Sequence, residues 1–209
     1  RVNGTLGLTL LIFTLIVSLS APLLAGLFAP RWFLEAPIKF AATTEMLRIT
    51  LPYWLFISMT GVAGGVLNSY DRFAVPAFTP VLLNTSLICA ALFAAPLFQQ
   101  PAFALAWGVL IAGIVQFIFQ LPFLYRIHML PTPVVDWQDS GVRKILLLMG
   151  PAIFGVSVSQ INLLLDTMLA TFLPTGSVSW LYYSDRLSEL PLGVFGVAIA
   201  TVILPNLSR

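Results

Sequence analysis

Six long apolar stretches fill most of this chain, and they limit its possible folds more than any other feature. They cover roughly residues 5–28, 46–69, 77–98, 102–125, 145–172 and 178–205. A helix needs about 20 apolar residues to cross the hydrocarbon core of a bilayer. The segment LTLLIFTLIVSL lacks the alternation of a transmembrane β-barrel strand. The sequence therefore predicts an all-α polytopic membrane protein with six transmembrane helices.

The small number of charged residues supports the same class. Of the 209 residues, 59% are hydrophobic and 9% are charged, whereas a soluble domain carries about 25% charged residues. The net charge of +2 is too small to indicate nucleic-acid binding, and the single cysteine, Cys89, excludes an intramolecular disulfide or a cysteine metal cluster. The chain begins with Arg1 and shows no signal-peptide pattern, so we expect a piece of a longer protein.

The basic residues predict the orientation of the chain. With six spans, both ends and the connections at 69–76 and 126–144 lie on one side of the membrane. That side carries six basic residues and the other side three, and cytoplasmic loops are enriched in lysine and arginine. We therefore predict that both ends are cytoplasmic. The two sets are Arg1, Arg72, Arg126, Arg143, Lys144 and Arg209 against Arg31, Lys39 and Arg48.

The longest polar segment, RIHMLPTPVVDWQDSGVRK at 126–144, is the predicted boundary between two helix bundles. It divides the chain into a first part, 1–127, a cytoplasmic linker, 128–143, and a second part, 144–209. His128 lies alone in this segment, and one exposed imidazole does not make a catalytic site.

Proline and glycine residues within the spans predict local helix geometry. Pro22, Pro52 and Pro151 each lack a backbone N–H and are expected to kink or break a helix. Gly61 and Gly65 have the small-xxx-small spacing that lets another membrane helix approach closely.

The fifth stretch carries a carboxylate within the membrane. Ser159, Asn162 and Asp166 are spaced i, i+3 and i+7, so they share a helix face. A charged carboxylate at this depth is costly unless it is paired, protonated or bound to a cation. Two interpretations of Asp166 stay open: a hydrogen-bonded contact with a neighbouring helix, and a cation or proton site.

The sixth stretch begins with SVSWLYYSDRLSELPLGV, which contains three charged residues. On a helix, Ser179, Arg186 and Glu189 share one face and Asp185 lies beside them. This segment is either an amphipathic helix in the headgroups, with solvated charges, or a helix that faces a water-filled cavity. We favour the cavity, because charges within a membrane mostly mark a substrate or ion path and arginine binds phosphate in a planar, bidentate manner.

These residues resemble a known family. The segment from Gly150 to Arg209, with SVSWLYYSDRLSELPLGV at its centre, resembles the MurJ (MviN) lipid II flippases of the MOP exporter superfamily. ITLPYWLFISMTGVAGGVLNSYDRFAVPAFTPVLLN resembles the fourth and fifth helices of that family. The resemblance implies a two-lobed transporter of fourteen helices, of which this chain supplies the third to the eighth. It also implies transport of lipid II, a peptidoglycan precursor, from the inner to the outer leaflet of the bacterial cytoplasmic membrane by alternating access.

The resemblance also implies roles for individual residues. The arginine of the YYxDR motif, here Arg186, lines the substrate cavity, and Ser179 faces the same cavity. We expect Asp185 and Glu189 to set the position of Arg186 and the charge around it. Asp166 matches a carboxylate that helps hold a sodium ion in some members. The expected partners are lipid II and the membrane, with no nucleic acid and no cofactor other than sodium.

Other functions are weighed against this one. Another MOP-type exporter, of polyprenyl-linked oligosaccharides or drugs, would share the fold but differ in its cavity charges. A non-transporting membrane scaffold would not need Asp166 or Arg186 at membrane depth. An enzyme would need a nucleophile with its base, or a set of metal ligands, and the sequence offers neither.

Overall fold

The computed structural model describes residues 2–130 and 140–191, and this part of the chain is almost entirely helical. The all-α class is therefore confirmed. Most of the linker 128–143 and the end of the sixth stretch, from residue 192, lie outside the described residues. The α-helices are α1 (Val2–Leu19), α2 (Ala21–Phe28), α3 (Pro30–Glu35), α4 (Pro37–Thr50), α5 (Tyr53–Ser69), α6 (Ala74–Cys89), α7 (Ala102–Arg126), α8 (Ser140–Thr171) and α9 (Ser177–Pro191).

Four helical segments in the described residues are long and apolar enough to cross a membrane: Pro37–Ser69, Ala74–Leu97, Ala102–Arg126 and Leu147–Thr171. Two further helical segments, Gly4–Leu19 and Ala21–Phe28, are bent relative to each other, and together they make a fifth segment of this kind if they form one span. The second span starts earlier than the predicted 46–69, because the helix begins at Pro37, where proline suits the first turn. The described residues thus supply four or five of the six predicted spans.

The three prolines differ in their effects. Pro22 lies in the first turn of α2, where the chain bends by 65° after α1, as the sequence predicted. Pro52 separates α4 from α5, yet the two helices together pass as one span. Pro151 lies inside α8, which is assigned as one helix from Ser140 to Thr171.

The interior of the first part is built on α7, which packs along both α5 and α6. Ala63, Leu67 and Leu124 form its buried apolar cluster. Two buried glutamines of α7 bond to α6: Gln116 Nε2 donates to the carbonyl of Thr79, and Gln120 Nε2 donates to Thr79 Oγ1, both at 3.0 Å. Close packing and interhelical hydrogen bonds hold membrane helices together, so these two bonds fix α6 against α7.

No described residue packs against Gly61 or Gly65, so the helix contact predicted from their spacing stays a prediction. Both glycines are exposed, and a Cβ atom added to either would meet nothing within 4 Å. The buried glycine of α5 is Gly64, where an added Cβ would lie 3.3 Å from the Cβ of Pro76.

Among the glycines of the first part, the one with least space for a side chain is Gly113 of α7. A Cβ at this position would lie 2.6 Å from Cδ2 of Tyr53 and 3.1 Å from the Cβ of Phe56. We therefore expect Gly113→Leu to destabilise the full-length protein by about 1–3 kcal/mol, as overpacking usually does. Thermal unfolding in detergent measures the effect, with Gly61→Leu as the control in open space. An unchanged unfolding temperature for Gly113→Leu would contradict this packing.

Candidate functional site

A cavity of about 600 Å³ with a mixed polar and apolar lining lies between the first and second parts of the chain. One wall is α3 with the start of α4, and the other is the end of α8 with the turn that leads into α9. Six-span topology puts both of these connections on the same side of the membrane, the predicted outer side. The charged and hydroxyl side chains of the lining are Arg31, Glu35, Lys39, Thr171, Thr175 and Ser179.

Two hydrogen bonds join the walls of this cavity. Arg31 Nη1 donates to the carbonyl of Phe172 at 2.5 Å, while Arg31 Nε bonds to Glu35 Oε2 at 2.6 Å. Lys39 Nζ donates to Thr175 Oγ1 at 3.5 Å, close to the limit for a hydrogen bond. Phe172 directly follows α8, so its carbonyl is among those that a helix end leaves without an intrahelical donor. A cation at this position is also favoured by the helix dipole.

The structure places Ser179 at this cavity, in the first turn of α9. The Ser179 side chain is exposed rather than packed in the protein. Its predicted contact with the substrate stays a prediction.

Arg186 projects from the exposed face of α9. Its Nη1 lies 3.0 Å from Glu189 Oε2, an i, i+3 ion pair, and its Cζ lies 5.2 Å from the ring centroid of Tyr182. The side chains of Arg186 and Glu189 are 62% and 65% exposed. Asp185 is exposed beside them. An ion pair this exposed contributes about 0–1 kcal/mol, so the guanidinium can exchange Glu189 for a stronger anionic partner.

Arg186 is not part of the cavity wall that holds Ser179. The two residues are seven positions apart on α9, which is about 10 Å along the helix at 1.5 Å per residue. The sequence-predicted substrate residues are therefore divided between the cavity end of α9 and its exposed face.

Asp166 lies on α8 with an exposed side chain, and Asn162, one turn away, is exposed as well. The side chain of Ser159 is outside the described residues. Within the described part of the chain, Asp166 forms no hydrogen bond or ion pair, and no group of three or more His, Cys, Asp or Glu residues could hold a metal. Carboxylate and amide oxygens suit a hard cation, which requires several oxygen ligands. Asp166 could supply carboxylate oxygens to such a cation, and its predicted part in a sodium site stays a prediction.

Sequence reasoning missed the cavity role of Arg31, Glu35 and Lys39. It used the two basic residues only to orient the chain. Arg31 and Phe172 are 141 positions apart, and Lys39 and Thr175 are 136 apart. Such separations leave no local pattern, and the only signal was the concentration of charges in one short connection.

Membrane-spanning helices, with charged side chains exposed on α8 and α9, define a polytopic α-helical membrane protein. Comparison with known proteins identifies the family within this class. The sequence profile of the lipid II flippase MurJ family matches residues 1–209. The chain therefore belongs to the MurJ lipid II flippase family, as its resemblance implied.

Individual relatives agree with this assignment. The chain is 52% identical, over its whole length, to the probable lipid II flippase MurJ of Vibrio cholerae, and 50% identical to that of Haemophilus influenzae. It is 46% identical, over 81% of its length, to the lipid II flippase MurJ of Burkholderia cenocepacia. It covers 41%, 42% and 34% of these three proteins, respectively. The chain thus spans about two fifths of the length of the first two relatives.

Proposed function

We propose that this chain is part of a lipid II flippase, which carries its substrate from the inner to the outer leaflet of the bacterial cytoplasmic membrane. The observation that carries the proposal is the family match over all 209 residues, which includes the charged segment of α9. The relatives named as lipid II flippases support it.

The exposed arginine of α9 suits this substrate. Lipid II has a pyrophosphate and a large sugar–peptide head that cannot cross hydrocarbon unaided. In the proposed mechanism the guanidinium of Arg186 binds the phosphate oxygens by charge-assisted, bidentate hydrogen bonds. Asp185 and Glu189 position that guanidinium. Ser179 offers a hydroxyl at the start of the same helix, where it lines the cavity between the two parts of the chain. The process moves a molecule without breaking covalent bonds, so the protein is a transporter rather than an enzyme.

The transport cycle is proposed to use the two parts of the chain as pieces of two lobes. Residues 1–127 belong to the first lobe, 144–209 begin the second, and 128–143 link them in the cytoplasm. Transporters built from repeats expose a central site to each side of the membrane in turn. Asp166 on α8 is proposed to bind a sodium ion together with ligands from beyond this chain, which would couple the cycle to the ion.

The substrate is tested in bacterial cells that have been depleted of their own flippase and produce the full-length protein. We expect lipid II to become accessible to a probe added outside the cells, as it does in undepleted cells. If the protein inserts but lipid II stays in the inner leaflet, the proposal is wrong. Export of a polyprenyl-linked oligosaccharide or a drug by the same protein would favour the other MOP-type function.

The proposed orientation is tested by single cysteines in the full-length protein with Cys89 replaced. A cysteine in the 126–144 loop should be protected from a membrane-impermeant thiol reagent in intact cells, because this loop is predicted to be cytoplasmic. A cysteine at Gln99 or Gln100, which are exposed at the opposite end of α7, should react. The reverse labelling pattern would overturn the orientation.

A further inference from the structure

The contacts of Arg31 across the outer cavity have no part in the substrate path described above. We infer that Arg31 is the centre of an outer latch, made of Arg31, Glu35 and Lys39 in the first part and the Phe172 carbonyl and Thr175 in the second. The latch is closed in this structure and has to release before substrate leaves on the outer side. The inference rests on the proposed function, since a latch has meaning only in a protein that alternates between two states.

The geometry of Arg31 suits a strong contact that can still be released. Its guanidinium uses Nε for Glu35 and Nη1 for the Phe172 carbonyl, so the carboxylate one turn away holds the planar group in the orientation that reaches α8. The Arg31 side chain is 37% exposed, less than the 62% of Glu35. The guanidinium is charged and the carbonyl is its acceptor, so this is a charge-assisted bond at an exposed position.

The position of the latch agrees with the part of α8 that is buried against the first part of the chain. Among the α8 side chains that the structure describes, only Ala170 and Thr171 are buried. Both of them line the outer cavity, next to the bond between Arg31 and Phe172. Among these side chains, the covered part of α8 is therefore its outer end, and separation of the walls there would widen the cavity, at which Ser179 is already exposed.

The nature of the contact also favours release over permanent attachment. The two described hydrogen bonds between the walls, from Arg31 to Phe172 and from Lys39 to Thr175, are exposed at the cavity. The Lys39 bond is long at 3.5 Å. Polar interfaces of this kind between parts of one chain permit relative motion, whereas large apolar ones resist it. Breaking the Arg31 bond exposes groups that water can solvate, so the open state is accessible.

The test measures how fast the cavity is reached from outside. Val178 lines the cavity and has no assigned role in binding, so Val178→Cys in a full-length protein without other cysteines serves as the reporter. An impermeant thiol reagent should label it about tenfold faster when Arg31→Gln is added, because a lost charge-assisted bond shifts a two-state equilibrium by about that factor. Arg31→Lys should give an intermediate rate, since lysine keeps the charge without the planar group.

Arg48→Gln is the matched control, because Arg48 is an exposed arginine of α4 that does not line the cavity. It should leave the labelling rate unchanged. Equal rates for Arg31→Gln and the unsubstituted reporter protein would overturn the latch. If the unsubstituted protein fails to move lipid II while labelling still responds to Arg31→Gln, the latch stands and the flippase proposal fails.

A second measurement does not depend on removing Arg31. A thiol cross-linker that joins Ala36→Cys to Leu173→Cys, one position on each wall of the cavity and neither of them a latch residue, should stop translocation by holding the latch closed. Cleaving the linker should restore translocation. Normal translocation with the cross-link in place would show that the two walls need not separate, and would refute the latch.

Discussion

Arg186→Ala is expected to stop lipid II translocation by the full-length protein while leaving its insertion into the membrane unchanged. The guanidinium is 62% exposed and its partner Glu189 is 65% exposed, so the pair contributes little to folding. Losing the guanidinium would remove the proposed phosphate contact, whose charge-assisted bonds are each worth about 1.5–3 kcal/mol. For a bidentate contact this predicts a fall in translocation rate of about a hundredfold or more. The accessibility of lipid II to an external probe measures that rate.

Two further variants make the Arg186 test specific. Arg186→Lys should recover only part of the rate, because an ammonium keeps the charge but loses the planar arrangement of donors. Arg126→Ala is the matched control and should leave the translocation rate unchanged. Arg126 is also exposed, and its Cζ lies 6.0 Å from the ring centroid of Phe123, while the Cζ of Arg186 lies 5.2 Å from that of Tyr182. Normal translocation by Arg186→Ala would return the segment SVSWLYYSDRLSE to the other interpretation, an amphipathic helix with solvated charges.

The fold class was predictable because it depends on the hydropathy of each stretch, which can be summed residue by residue along the sequence. Any 20-residue apolar stretch must form a helix in the bilayer to satisfy its own backbone, so length and hydropathy were enough. Helix breaks were partly predictable, since Pro22 removes a donor whatever the surroundings, and the chain bends there by 65°. Pro151 lies within a helix that continues past it, which shows that a proline alone does not settle how far a helix extends.

Helix contacts were less predictable, because they depend on which face of a helix meets its neighbour. The spacing of Gly61 and Gly65 did not predict the contact that α5 makes in this structure, which is at Gly64 against Pro76. The contact of Gly113 with Tyr53 follows from the packing of α5 on α7, which no local pattern encodes.

The candidate site was predictable within one helix and not between helices. Arg186 and Glu189 are three positions apart, a spacing that allows an ion pair on one helix, and the structure contains that pair. The bond from Arg31 to Phe172 links positions 141 residues apart, and it arises only after both parts have folded and met. Charges in a short connection could have indicated a polar contact there, but not its partner.

Asp166→Asn is expected to abolish any sodium dependence of transport while leaving the amount of inserted protein unchanged. Asp166 is exposed on α8 and has no hydrogen-bond partner among the described residues. A charged carboxylate within a membrane is costly when it is unpaired, so binding a cation or a proton would stabilise it. Asparagine keeps the shape and loses the charge, and it therefore imitates the neutral form of the side chain without being able to bind a cation strongly.

The measurement compares translocation by both proteins across a series of sodium concentrations and pH values. If Asp166 binds sodium, only the unsubstituted protein should speed up as sodium rises; if it takes up a proton, only the unsubstituted protein should respond to pH. Glu45→Gln is the control, because Glu45 is an exposed carboxylate on α4, and its removal should preserve either response. Identical responses of the Asp166→Asn and unsubstituted proteins to both ions would mean that the carboxylate is not a coupling site. Asp166 would then serve as a contact for a neighbouring helix of the full-length protein, the other interpretation that its sequence context allows.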